Sequence, residues 1–215
     1  MKKKLTIIDT SCGNILSIKR AVEKNDCEVL ITKDINKILS SNKLILPGVG
    51  AFRNAMDELE KIKFLDIIQN IKDKEIPILG ICLGMQLLFE ESKEFGNFKG
   101  LGLIKGKIIK LPNLSKSGKK LKIPSIGWNE VIINKDSINN INEIFLNDYT
   151  NGSNFYFVHS YYAKVENKKN IIATYKFGDK EIPSIVSEKN IIGCQFHPEK
   201  SGQNGLKLIK NFISI

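Results

Sequence analysis

Along the first ninety residues, short apolar runs alternate with stretches of helical spacing. Leu5 to Ile8 reads as a buried strand, and Ile15, Ile18 and Val22 recur at helical intervals within residues 14–25. Glu28 to Ile31 predicts a short strand, Asp34 to Leu39 a short helix opening on an acidic cap, and Leu44 to Leu46 a strand stopped by Pro47-Gly48. Met56, Leu59, Ile62, Leu65 and Ile68 predict one long helix over residues 51–71, with an interruption admitted near Lys63. Ile76 to Ile81 predicts a strand and Leu83 to Glu91 the helix after it. Strands alternating with helices give right-handed crossovers and a mostly parallel sheet covered on both faces.

The second half changes character. Leu101 to Leu111, Gly127 to Ile133, Phe155 to Val165, Ile171 to Phe177, Ser184 to Val186 and Ile191 to Phe196 read as strands, with a closing helix over Gly205 to Phe212. Turn signals such as Pro112-Asn113 and Gly178-Asp179 separate them. Between Ile133 and Phe155 the pattern assigns only a turn signal, Asn151-Gly152. The expected fold is therefore α/β, a mostly parallel sheet flanked by helices with additional antiparallel strands in the C-terminal half. With no linker rich in Gly, Pro or Ser, residues 1–215 are expected to form one domain.

Composition narrows the function classes. At 42% hydrophobic and 26% charged, the 215 residues can bury a core. No apolar run approaches the roughly 20 residues of a membrane helix. The apolar stretch after Met1-Lys2-Lys3-Lys4 breaks at Asp9, too early for a signal peptide, so a cytoplasmic protein is expected. The net charge of +10 is spread along the chain, not gathered into an arginine-rich stripe. It suits docking on an acidic protein better than nucleic acid. Cys12, Cys27, Cys82 and Cys194 form no C-x-x-C pair, so neither a zinc site nor a disulfide framework is expected, and no cofactor motif appears.

The densest chemical signal is Gly80-Ile81-Cys82-Leu83-Gly84-Met85-Gln86, between the apolar run 76–79 and a helix-forming run. Glycines two before and two after a nucleophile permit a strained strand-to-helix elbow that lifts the reactive atom off the sheet. The elbow also sets the sulfur at a helix N-terminus, where free N–H groups favour negative charge, and aims the Leu83 amide at an oxyanion. A cysteine is more often simply buried in a core, a reading kept for Cys12, Cys27 and Cys194. Cys12, in the loop after the first strand, can approach the site. His197-Pro198-Glu199 supplies a base and its orienter, since residues two apart in an extended segment share a side. On spacing alone His159 remains a second candidate base, read as a hydrogen-bonding residue of the site wall.

These motifs resemble the triad (class I) glutamine amidotransferases. The stretches 46–52, 80–88, 127–129, 157–162 and 195–202 are similar to the family's glutaminase subunits across essentially the whole chain. The loop Asp9 to Asn14 matches more loosely, with Ser11 where the family has glycine. The resemblance implies a flavodoxin-like fold and hydrolysis of L-glutamine to glutamate and ammonia, with Cys82 as nucleophile, His197 as base and acid, and Glu199 as orienter. It implies that Gly48, Val49 and Gly50 form an oxyanion strand whose peptide can rotate, and that Gln86, Glu94, Ser160 and Tyr161 hold the glutamine. Trp128 and Asn129 would face a (β/α)₈-barrel synthase subunit in a heterodimer, receiving ammonia for histidine biosynthesis. A paralogous synthase that amidinates bacterial surface sugars is the alternative destination, and a non-catalytic partner subunit the alternative of another class.

Overall fold

Hydrophobic residues alternate across a nine-stranded sheet so that each side carries its own core. A computed structural model describes residues 3–11, 13–138, 140–147, 149 and 152–215. Strands β1 (Lys3–Ile8), β2 (Cys27–Thr32), β3 (Leu44–Leu46), β4 (Ile78–Ile81) and β13 (Ile191–Cys194) run in the order β2-β1-β3-β4-β13, all parallel. Antiparallel strands β12 (Lys180–Glu188), β11 (Ile171–Phe177), β8 (Ser125–Ile133) and β9 (Ser153–His159) continue the sheet. Ile45, Leu79, Ile81, Ile192 and Cys194 enter one core, with helices α1 (Ile15–Glu23), α6 (Asn140–Phe145) and α7 (Gly202–Ser214). Leu44, Leu46, Ile78 and Ile191 enter the other, with α2 (Ile35–Leu39), α3 (Phe52–Lys61) and α4 (Phe64–Asp73). Burial on both sides explains the unbroken apolar runs of the parallel strands. The predicted α/β class, with antiparallel strands joined to a parallel set, is the observed one. Among the described residues no helix is long and apolar enough to cross a membrane.

Two elements differ from the pattern reading, and the interruption it admitted near Lys63 is found. The long helix over 51–71 is two helices, broken where Lys63 adopts a left-handed φ of 59°. A continuous helix would turn Lys63, four residues after buried Leu59, toward the core. The break instead sends Phe64, Ile67 and Ile71 inward and leaves Leu65 exposed. The predicted helix 83–91 stops after one turn, α5 (Leu83–Leu87), and becomes strand β5 (Phe89–Ser92). The carbonyls a longer helix would need are taken by the next segment: Leu101 N–H donates to Leu87 O, Leu103 N–H to Leu88 O and Gly102 N–H to Phe89 O. Strands β6 (Phe98–Lys99), β7 (Ile104–Lys110) and β10 (Tyr161–Val165) complete a separate four-stranded sheet, β10-β7-β5-β6. The single strand expected over 155–165 is accordingly two, β9 and β10, in different sheets with Ser160 at the corner. Helix α6 fills part of the unassigned stretch and buries Phe145.

The elbow is fixed by backbone contact. A Cβ on Gly84 would lie 1.8 Å from Leu46 O, and one on Gly48 would lie 2.8 Å from Gly84 N. The segment after β3 and the first turn of α5 therefore pass closer than any side chain allows. Gly84→Ala is expected to cost at least the roughly 1–3 kcal/mol of ordinary overpacking, read as a fall in the urea unfolding midpoint.

Candidate functional site

Parallel pairing sets Ile81 beside Cys194, and Cys82 N–H extends the ladder by donating to Cys194 O at 2.8 Å. The elbow and residues 195–199 thus leave adjacent strands at the carboxyl edge of the sheet, where open α/β sheets bind ligands. Cys82 sits at φ 53°, ψ −108°, a conformation rare for a residue with a side chain. Its thiol makes a long 3.9 Å contact with Val158 O. Leu83, first in α5, has an amide without an intrahelical acceptor.

His197 is anchored on three sides. Its N–H donates to Tyr156 O at 2.9 Å, and its carbonyl accepts from Ser201 Oγ at 2.6 Å. Ser201 Oγ in turn accepts from Tyr156 N–H at 3.0 Å, tying the turn at 198–200 to β9. The ring Nδ1 lies 2.7 Å from Glu199 Oε1, with both side chains almost fully buried. Nε2 of His197 and Oε2 of Glu199 are buried without a hydrogen bond. Burial alone would lower the pKa of His197, but the Cys82 sulfur and the Glu199 carboxylate outweigh it and raise it to about 10.

His159 is bonded quite differently. Nδ1 meets Tyr161 O at 2.8 Å, and because a carbonyl only accepts, Nδ1 carries the proton. Nε2 is then the acceptor for Tyr175 Oη, also at 2.8 Å. Burial holds the pKa of His159 down to about 4, against the pull of the Tyr161 carbonyl and with the charge of His197 adding to the lowering. A neutral ring with both nitrogens engaged is a wall of the site, while His197 keeps a free nitrogen.

A cavity of about 310 Å³ is lined by Val49, Gly50, Cys82, Leu83, Gln86, Glu94, Ser160, Tyr161 and His197, among others. That is the small end of the roughly 300–1,000 Å³ usual for ligand pockets. Gly48 packs behind this wall against Leu83, and Glu199 stands behind His197. A larger cavity, about 650 Å³, opens beside the small sheet and holds none of the predicted residues. Glu94 Oε2 accepts from Phe52 N–H at 2.7 Å, capping α3; burial raises its carboxyl pKa, and this bond opposes the rise. Trp128 and Asn129 lie outside the cavity on β8. Trp128 is 57% exposed and meets Tyr156 edge-on, while Asn129, the next residue along the strand, faces the other side. Cys27 and Cys194 are buried thiols whose pKa burial raises; Cys12 lies outside the described residues. Ser11 has φ 54°, which explains why glycine suits that loop position. Among the described residues no group of His, Cys, Asp and Glu could hold a metal ion.

Two residues escaped the sequence reading. Ser201 follows the motif and locks the His197 turn, a role visible only once β9 is beside it. Gln195 precedes the motif, is fully buried, and donates to Cys82 Sγ from Nε2 at 3.7 Å.

The chain matches the family model for glutamine amidotransferase class-I over residues 6–215. It is 44% identical over 209 residues to the imidazole glycerol phosphate synthase subunit HisH of Methanocaldococcus jannaschii, covering 97% of this chain and 98% of that protein. The HisH subunit of Lactococcus lactis is 43% identical over 211 residues, covering 98% of each. Among solved structures, PurLQS from Thermotoga maritima superposes with a TM-score of 0.72 at 19% identity, covering 100% of this chain and 99% of that one. The Trypanosoma brucei CTPS glutaminase domain with bound acivicin gives 0.64 at 16% identity, covering 98% and 94%. Both share the fold.

The raised pKa of His197 has a consequence for stability. Because its folded value, about 10, lies above the ordinary 6.5, its pairing stabilises the fold fully below about pH 6.5 and the benefit is lost as pH rises through about 10. The gap in urea midpoint between the native protein and Glu199→Gln is therefore expected to be widest below pH 6.5 and to close towards pH 10 and above.

Proposed function

The chain belongs to the class-I glutamine amidotransferases, and on that premise we propose that it is the glutaminase subunit of an imidazole glycerol phosphate synthase. The whole chain works as one amidotransferase domain, and its partner is a (β/α)₈-barrel synthase subunit in a heterodimer. The observation that carries the reading is one cavity wall holding both the strained Cys82 and the imidazole of His197, which is bonded at 2.7 Å to Glu199. Near 40% identity to HisH subunits over almost the full length supports the pathway.

The chemistry follows from the groups present. Cys82 sulfur attacks the side-chain carbonyl carbon of L-glutamine, and the tetrahedral oxyanion takes a hydrogen bond from the Leu83 amide. A second donor comes from the 48–50 backbone once a peptide there turns toward the cavity. The imidazolium favoured by Glu199 and the sulfur gives its proton to the departing ammonia, leaving a glutamyl thioester. Water then attacks the thioester while His197 takes its proton, and glutamate leaves as the thiol is restored. Gln86, Glu94, Ser160 and Tyr161 hold the amino acid's charged end.

One missing oxyanion donor costs roughly 3–4 kcal/mol of barrier, so a peptide rotation triggered by the partner is enough to switch the site. Docking is needed because ammonia reacts only when neutral and must travel out of water. Exposed Ile126 and Trp128 sit on β8, and Trp128 pairs with Tyr156, whose carbonyl holds His197. An apolar anchor there puts the partner next to the base. The pair works in the cytoplasm, a reducing compartment in which a reactive thiol persists.

With the barrel subunit and its ligand present, the native chain is expected to release glutamate far faster than alone. Cys82→Ala is expected to abolish release, keep the complex, and allow synthesis from ammonium salts. Full activity without a partner contradicts the switching, and glutamate release by Cys82→Ala contradicts the assignment. Co-purification with a sugar-modifying synthase instead would transfer the same chemistry to the paralogous pathway.

A further inference from the structure

Gln195 is a polar side chain with no exposure. A buried amide left unpaired costs about 1–3 kcal/mol, so its hydrogen bonds must be accounted for. They form a chain with a fixed direction. It starts at Tyr161 O, which accepts from His159 Nδ1 at 2.8 Å and from Gln86 Nε2 at 3.0 Å. A carbonyl cannot donate, so Gln86 must turn its NH₂ this way. The same NH₂ donates to Gln195 Oε1 at 3.0 Å. That forces the NH₂ of Gln195 to the other side, where it meets Cys82 Sγ at 3.7 Å. A backbone acceptor in β10 thus decides, through two side-chain amides, that the sulfur receives an N–H and not a carbonyl oxygen.

We propose that Gln195 is a positioning residue for the nucleophile, its amide aimed by the Tyr161–Gln86 relay so that it holds the Cys82 sulfur and favours the sulfur when charged. The inference rests on the reading of Cys82 as nucleophile and assigns a task to a residue which that reading leaves idle. An N–H donor stabilises a sulfur anion more than a neutral thiol, because hydrogen bonds to charged groups are the stronger ones. Unlike His197, the amide stays neutral and keeps its proton, so it acts equally before attack and when the thioester breaks down. The titratable groups around the sulfur are His197 and Cys194, with His159, Tyr161 and Glu94 sharing the cavity wall and Glu199 behind His197.

Alkylation of Cys82 by iodoacetamide, followed by peptide mass mapping across pH 6 to 10 in the full chain, tests this without requiring turnover. Gln195→Met removes the donor and keeps length and burial. It is expected to slow alkylation about tenfold at neutral pH and to converge on the native rate at high pH, with thermal unfolding little changed. Gln86→Met, which frees Gln195 to turn its carbonyl to the sulfur, is expected to act in the same direction, and the double variant to be no slower than Gln195→Met. Superimposed profiles, or a loss uniform across pH, overturn the proposal. If Gln195→Met does not fold, Gln86→Met decides by the same criterion. A native chain that releases no glutamate with its barrel partner would overturn the functional reading instead, and the alkylation profiles would still judge Gln195.

Discussion

The parallel pairing of β4 with β13 is the constraint on which the rest depends. Cys82 and His197 lie 115 positions apart in sequence, and neither carries any chemistry alone. The register Ile81–Cys194, continued by the bond from Cys82 N–H to Cys194 O, ends both strands at one edge. From there one chain turns sharply into α5 and the other into the short turn at 198–200. A shift of one residue in either strand would turn the side chains at its end to the opposite face of the sheet, and no adjustment of loops would restore the meeting. The glycines serve this junction: Gly84 and Gly48 let backbones touch where the elbow presses against the end of β3.

Around the junction, the polar side chains of Gln86, His159, Gln195, His197 and Ser201 are all buried. The Tyr161 carbonyl satisfies two of them at once, fixing the proton on His159 and the orientation of Gln86. The bond to Tyr161 O fixes which nitrogen of His159 carries the proton, while burial keeps the ring neutral against the carbonyl's pull. The two imidazoles are pushed in opposite directions, to about 4 for His159 and about 10 for His197. Environments that separate like groups so far are how a protein assigns them different tasks. The Cys82 sulfur and the buried Glu199 carboxylate, both acting on the His197 ring, supply the difference.

Much of this was legible in the sequence because glycine and proline carry positional meaning. Gly80, Gly84 and Gly48 mark close approach, and Pro47 and Pro198 mark strand ends. The His-Pro-Glu spacing placed base and carboxylate within reach of each other. What was not legible depends on contacts between distant segments. The three-residue repeat over 56–68 mimics a continuous stripe, so the pattern admitted the break at Lys63 without requiring it. The end of α5 is set by residues 101–104 capturing its carbonyls, and a helix propensity cannot register a competitor so far along the chain. Ser160 looks like any strand residue until its two flanking strands join different sheets. Gln195 was invisible as a functional group because its partners, Gln86 and Cys82, come from the other strand's helix. The family resemblance supplied Glu94 as a substrate residue; that it also caps α3 is a matter of packing.

The central claim is that one sulfur, and no other, accepts the glutamyl group. A chloroketone analogue of glutamine, incubated with the protein together with its synthase partner and mapped by peptide mass spectrometry, tests it directly. The account predicts a single adduct, on Cys82, whose formation excess glutamine suppresses. Modification of Cys27 or Cys194 in its place, or labelling of Cys82 that glutamine does not slow, would contradict it.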